Sequence, residues 1–182
     1  MSWAIAALIL VALIAIVVLR GARKYRRLLA PEHLLELGGG LARLKEAVFS
    51  APPDLAEPDP ERHSFVSSAQ LILAYTCSRP HEAHQHHLSL SYRGGPLALG
   101  AAGVVIAFCA RLLGAPVEHL QVGRSDRGVY HIAWALDDPA HEALRNATLA
   151  IPTIAEMPSV MAVCFQDARR LGPIARIPSA PT

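Results

Sequence analysis

The sequence predicts an α+β protein, in which an N-terminal transmembrane helix precedes a small two-layer domain with helices on one face of an antiparallel sheet of about four strands. Three observations predict this class. The chain opens with a long apolar run, one later segment has the signature of a β-hairpin, and the other patterned segments follow in the order strand, strand, helix, hairpin, helix, helix. The 182 residues are 52% hydrophobic and 18% charged, which is enough apolar material for a core, and the net charge of +2 is too small to indicate a nucleic-acid partner.

Residues 1–20 are predicted to be an uncleaved transmembrane anchor. The run from Trp3 to Leu19 contains only Trp, Ala, Ile, Leu and Val, and as a helix it is about 25 Å long. Its eleven Leu, Ile and Val residues favour insertion by roughly 3 to 6 kcal/mol. A cleaved signal peptide is the alternative, but the run has no basic residue before it and Arg-Gly-Ala-Arg after it, which is not a small-residue cleavage site.

Basic residues directly after the run predict the orientation of a single-pass signal-anchor. Positive charge is retained on the cytoplasmic side, so the N-terminus is expected outside and the domain in the cytoplasm. The predicted contacts with the lipid bilayer are Trp3, Arg20, Arg23, Lys24, Arg26 and Arg27. Three widely spaced cysteines, Cys77, Cys109 and Cys164, form no disulfide framework and are expected to be reduced, which suits that compartment.

Residues 21–49 are predicted to form basic and amphipathic juxtamembrane helices. Pro31–Leu37 and Leu41–Phe49 have helical spacing, and Gly38–Gly40 between them are expected to break or kink the helix because glycine loses most backbone entropy there. Whether these helices lie on the bilayer or on the domain is left open. Residues 50–62, with four prolines and four acidic residues, are predicted to be an extended linker before a domain at 63–172 and a Pro-rich tail at 173–182.

The first part of the domain is predicted to contain two strands and a buried helix. Residues 69–77 alternate in polarity and are interpreted as a strand rather than a helix, and residues 86–92 alternate more clearly, with His86 and His87 on opposite faces. A helix is expected from Pro96 to about Leu113. It is apolar all round for fourteen residues, which favours a core helix over a second membrane crossing, although the crossing stays an alternative.

The β-hairpin is the clearest local prediction. Asp126-Arg127-Gly128 fits a three-residue loop, and pairing Ser125 with Val129 places Val122 opposite Ile132 on an apolar face. The other face is polar, as a half-buried sheet requires. Two helices are expected afterwards, one capped by Asp138 and running from Pro139 to about Leu149, and one from Pro158 to Gly172.

A histidine cluster is the most conspicuous candidate metal site. Four of the nine histidines lie within seven residues, and the predicted ligands are His81, His84, His86 and His87. Neutral imidazole binds Zn, Cu and Ni, so a divalent transition metal is a possible cofactor, and no other cofactor is predicted. The spacing is not H-E-x-x-H, because Gln85 stands where the second histidine is needed, and a plain polar loop remains the other interpretation.

The sequence contains no Walker A, G-x-G-x-x-G or G-x-S-x-G motif, which favours a protein that is not an enzyme. The leading hypothesis is an accessory or scaffold subunit whose cytoplasmic domain binds a partner in a membrane protein complex. The predicted partner-binding residues are His119, Gln121, Asp126, Arg127 and His131. The alternatives are a metal-binding protein or enzyme that uses the cluster at residues 81–87, and a membrane-tethered sensor with an apolar cavity between the small-residue helix and the sheet.

Overall fold

The computed structural model describes residues 3–50, 64–66, 71–79, 83–92, 99–172 and 174–177. The fold is α+β, as predicted. Its elements in chain order are α1 (Trp3–Leu28), α2 (Pro31–Ser50), β1 (Ser64–Val66), β2 (Leu71–Ser78), β3 (His84–Tyr92), α3 (Leu99–Leu112), a 3-10 turn (Val117–His119), β4 (Gln121–Ser125), β5 (Tyr130–Leu136), α4 (Asp138–Asn146), α5 (Met157–Arg170) and β6 (Ala175–Ile177). The predicted linker falls almost wholly on residues outside the described ones.

Helix α1 has the length and composition of a membrane span. The 24 residues Ile5–Leu28 form one helical stretch that is long and apolar enough to cross a bilayer. The apolar side chains of this stretch up to Leu19 are exposed. A signal sequence near an N-terminus shares these properties. Leu28 and Leu29, at the other end, are buried in the domain core, so the end of α1 packs against the folded domain.

The sheet has the strand order β1-β2-β3-β5-β4-β6. The first five strands in this order form four antiparallel pairs, and the three-residue β6 pairs parallel with β4. The prediction was about four strands. The additional strands β1 and β6 have three residues each, which is too short to produce a recognisable alternation.

The hairpin of β4 and β5 has the predicted loop and register. Val122 pairs with Ile132, and the Ser125 N–H donates to the Val129 carbonyl at 2.9 Å. Gly128 has a φ of +80°, the left-handed conformation that this loop requires. Loop chemistry and side-chain alternation therefore determine this part of the fold locally.

One sheet face and the helices enclose the core. Buried residues of β2, β3 and β5 alternate with outward-facing ones, and α2 packs on β1 and β2. All residues of α3 from Ala101 to Ala110 are buried, and α5 is its main neighbour. This supports the interpretation of α3 as a core helix.

The predicted break at Gly38–Gly40 is wrong, because α2 continues through all three glycines. A Cβ atom on Gly40 would lie 2.3 Å from the Phe65 ring, so its absence permits close packing. Three glycines weaken a helix by about 3 kcal/mol relative to alanine. Four leucines of α2 are buried in the core and stabilise the helix by about 6 to 12 kcal/mol; they are Leu34, Leu37, Leu41 and Leu44. Burial of these leucines therefore outweighs the cost of the three glycines.

The predicted cap of α4 is wrong by one residue. Asp137 is the N-cap, and its carboxylate accepts a hydrogen bond from the Ala140 N–H at 3.0 Å. The helix ends at Asn146 and not near Leu149. Because Asp137 caps the helix, the Asp138 carboxylate is left to contact His84 of β3 and Arg79, which follows β2.

Candidate metal site

The antiparallel register of the sheet places Cys77 next to His86. These two residues are direct partners across β2 and β3, and Trp134 of β5 is the partner of His86 on the other side. All three side chains point to the helix-covered face, because they continue the buried alternation of their strands. His86 is fully buried there.

Helix α4 brings a second histidine, His141, to the same place. The helix is fixed at both ends, by the Asp137 cap and by Lys45 of α2, whose Nζ donates to the carbonyls of Arg145, at 2.9 Å, and Ala147. Lys45 is buried and satisfies carbonyls that a helix C-terminus leaves without partners. His141 is also buried and therefore has a fixed position over the sheet.

Three potential ligand atoms converge at this point. Cys77 Sγ lies 3.8 Å from His86 Nε2 and 3.9 Å from His141 Nδ1, and the two nitrogens are 3.3 Å apart. A tetrahedral zinc ion with bonds of about 2.05 Å to nitrogen and about 2.3 Å to sulfur separates its ligands by about 3.3 Å for two nitrogens and about 3.6 Å for nitrogen and sulfur. The observed separations match this geometry to about 0.3 Å.

Tyr75 orients the His86 ring. Its hydroxyl lies 2.7 Å from His86 Nδ1, and both side chains are fully buried. When Nδ1 carries the proton and donates to the phenol oxygen, Nε2 is the free acceptor that points at the cluster. Histidines that bind metals are held in this way by a second hydrogen bond.

Burial controls the protonation of the cluster. It lowers the pKa of His86 to about 4, with a further contribution from the neighbouring histidines, and it also lowers the pKa of His141. Burial raises the pKa of the Cys77 thiol to about 11. Near neutral pH both imidazoles are therefore uncharged and the thiol keeps its proton. Neither His86 nor His141 therefore supplies a positive charge that would stabilise a Cys77 thiolate.

His84 and Asp138 form the rim of the cluster. The His84 ring stacks on the His141 ring with centroids 3.5 Å apart, and its Nε2 lies 3.1 Å from Asp138 Oδ1. Asp138 Oδ2 accepts a hydrogen bond from Arg79 at 3.1 Å. Among the described residues three donors meet, so a tetrahedral ion bound by them has its fourth position open to water or another ligand.

Trp134 supplies a polar group beside the cluster. Its ring stacks on His86 at 5.3 Å, and its buried Nε1 has no hydrogen-bond partner in the described part of the chain. An unsatisfied buried donor is uncommon and needs an explanation.

The histidines predicted as ligands are separated by the fold. His86 is in the cluster and His84 stacks beside it, whereas His87 is exposed on the opposite sheet face and His81 lies outside the described residues. Sequence reasoning missed Cys77 and His141. Antiparallel pairing of the two predicted strands that contain Cys77 and His86 would have indicated that these residues are close. No feature of the sequence near His141 indicates that it joins them.

The residues predicted to bind a partner lie away from the cluster and are all exposed. Gln121 and His131 belong to β4 and β5, His119 to the turn before β4, and Asp126 and Arg127 to the hairpin tip. His131 Nδ1 lies 3.3 Å from Ser89 Oγ on the outward sheet face. Partner binding stays a prediction.

Comparisons with protein-family models, with curated proteins and with solved structures found no match to this chain. The geometry and chemistry of the Cys77, His86 and His141 cluster are therefore the basis on which its function is inferred.

Proposed function

We propose that this chain is a membrane-tethered metal-binding protein that holds one divalent transition-metal ion, zinc foremost, between Cys77, His86 and His141. The observation that carries the proposal is the mutual distance of 3.3 to 3.9 Å among the three ligand atoms. The three ligand atoms belong to β2, β3 and α4, and they meet only because the tertiary fold brings these elements together.

The ligand set selects the class of metal. One thiolate and two imidazoles suit zinc and its neighbours among the transition metals, whereas calcium and magnesium require oxygen ligands. Without an ion, the contacts of the thiol with the imidazoles are weak hydrogen bonds that compensate poorly for burying the polar atoms. A bound ion satisfies all three groups.

The open fourth position favours an exchangeable or reactive ion over a purely structural one. Structural zinc sites are closed by four protein ligands, and sites that bind water or substrate use three. His84 and Asp138 at the rim would then lie beside whatever binds to the ion.

The experiment is a metal titration of the full-length protein in mild detergent after removal of bound metal. We expect one zinc ion per chain, and we expect binding to be lost in Cys77→Ala, His86→Ala and His141→Ala. His87→Ala is the matched control, because His87 follows His86 in β3 and faces the opposite side. Unchanged zinc binding in the three cluster variants, or equal loss in the control, would refute the proposal.

The proposal includes a cytoplasmic location for the metal-binding domain. The basic residues that follow the apolar run of α1 support it, and so does a ligand thiol that must remain reduced. Ser159→Cys places a thiol at an exposed position of α5. A membrane-impermeant maleimide is expected to label it only after permeabilisation, and labelling in intact cells would contradict this orientation.

A second candidate is the accessory subunit of a membrane protein complex. It is favoured by the outward sheet face, where His87, Gln121 and His131 are exposed and Ser89 and Ala133 are half-buried. A tethered domain presents such a face to a neighbouring membrane protein. The test is co-purification in mild detergent, in which a stoichiometric partner should be lost from Ala133→Arg while zinc binding is retained. A chain that purifies alone would remove this candidate.

The sensor hypothesis has less support. A cavity of about 530 Å³ lies at the end of α3, where Phe108, Arg111 and Val160 line it. None of the described residues that line it belongs to a strand, so this cavity is not the one expected between the helix and the sheet.

A further inference from the structure

The basic end of α1 and the end of β3 enclose a cavity of about 460 Å³, remote from the metal cluster. Arg23, Lys24, Arg27, Leu28 and Tyr92 line it. Its volume lies within the range of small-molecule sites. Three of the described residues that line it, Arg23, Lys24 and Arg27, are cations, which favours an anionic ligand.

Helical geometry places the three cations on one side of α1. Arg23 and Arg27 are four residues apart and Lys24 and Arg27 are three apart, which are the spacings of neighbours on a helix surface. The Lys24 ammonium lies 4.1 Å from the centroid of the Tyr92 ring, so a residue of the folded domain fixes one side of the cavity.

The position of these residues relative to the bilayer indicates the kind of ligand. Arg23 and Lys24 follow the last residue of the apolar run, Leu19, by about 6 and 7.5 Å along the helix axis. The polar headgroup region beyond the hydrocarbon core is about 5 to 8 Å thick on each side. When α1 spans the bilayer, the side of the cavity formed by Arg23 and Lys24 therefore lies in the headgroup layer, and Arg27, about 12 Å beyond Leu19, lies at the outer surface of that layer.

We propose that this cavity binds the headgroup of one anionic phospholipid, whose phosphate pairs with Arg23, Lys24 and Arg27. The inference rests on α1 spanning a bilayer and is independent of the metal cluster. Basic pockets at the cytoplasmic ends of membrane helices recognise such headgroups, and arginine binds phosphate through two parallel hydrogen bonds. Leu28 and the Tyr92 ring give the cavity an apolar wall.

The test is native mass spectrometry of the full-length protein in a neutral detergent, titrated with phosphatidylglycerol. We expect one saturable lipid and no comparable binding of phosphatidylcholine. Arg23→Gln with Arg27→Gln should weaken the affinity about 25-fold, which is about fivefold for each charge removed. The matched control is Arg20→Gln with Arg26→Gln, which removes the same charge from the same stretch of helix but outside the cavity.

Three results would overturn the inference. Equal loss of affinity in both double variants means that net charge alone attracts the lipid. Equal binding of phosphatidylcholine means that the headgroup charge is not recognised. Displacement of the lipid by inorganic phosphate at similar concentration identifies a soluble anion, and not a lipid, as the ligand. Zinc binding measured on the same samples distinguishes failure of this inference from failure of the metal site.

Discussion

Zinc binding to the metal-free protein should release one proton, and the proton should come from Cys77. Burial raises the pKa of this thiol to about 11 and lowers the pKa of His86 to about 4, so near neutral pH only the thiol must lose a proton to become a ligand. Removing that proton at pH 7 opposes binding by about 5 kcal/mol. The affinity for zinc should therefore increase about tenfold per pH unit, or about 100-fold from pH 6 to pH 8.

The assay is competition between the protein and a chromophoric chelator for zinc at pH 6, 7 and 8, corrected for protonation of the chelator. Cobalt provides a second measurement, because a cobalt–thiolate bond has a charge-transfer absorption. In Cys77→Ala any residual affinity should depend much less on pH, since His86 stays neutral throughout this range and burial also lowers the pKa of His141. Cys109→Ala removes a buried thiol that lies outside the cluster and is the matched control.

Two outcomes would refute this reasoning. A pH-independent affinity in the unsubstituted protein means that the thiol is not a ligand or is already ionised. An increase of two powers of ten per pH unit means that a second proton is released, so that the Cys77 thiol is not the sole source of the pH dependence.

Three further predictions concern the surroundings of the cluster. The pKa of His86 is depressed from 6.5 to about 4, so the unfolded chain binds a proton more readily, and His86 should account for about 2 kcal/mol of the unfolding free energy that the metal-free protein loses between pH 7 and pH 4.5, measured as the difference between the unsubstituted protein and His86→Gln in denaturant titrations. Tyr75→Phe removes the hydroxyl that orients His86 and should lower zinc affinity about 10- to 100-fold in the same competition assay. Gly40→Ala should destabilise the fold by about 1 to 3 kcal/mol through its clash with Phe65, whereas Gly39→Ala, whose Cβ has room, should stabilise it by about 0.5 to 1 kcal/mol.

Each of these predictions has its own control. His87→Gln removes an exposed imidazole that makes only a minor contribution to the lowered pKa of His86, so most of the acid-induced loss of stability should remain. Equal stability of the unsubstituted protein at both pH values would contradict the first prediction. Tyr130→Phe removes another buried phenol from the sheet, and an equal effect on zinc affinity would show that Tyr75 has no special role. Destabilisation by Gly39→Ala as large as that by Gly40→Ala would show that chain entropy, and not packing, determines the response.

The sequence predicted the features that depend on neighbours along the chain. The loop Asp126-Arg127-Gly128 and the alternation around it determined the hairpin register, and the opposite faces of His86 and His87 followed from strand geometry alone. The helix through Gly38–Gly40 was not predicted, because the packing that stabilises it involves distant residues such as Phe65. His141 was missed for the same reason, since it reaches the cluster only through the docking of α4, 55 residues after His86.

The burial of Leu28 and Leu29 has a consequence for any soluble fragment of this protein. These leucines belong to the same core as Leu34 and Leu37, so the last turn of α1 is an integral part of the domain and not a dispensable tether. A fragment trimmed to begin at α2 would expose that part of the core to water and would be prone to self-association. The apolar run can be removed up to Arg20, but the cut has to fall before the last two turns of α1.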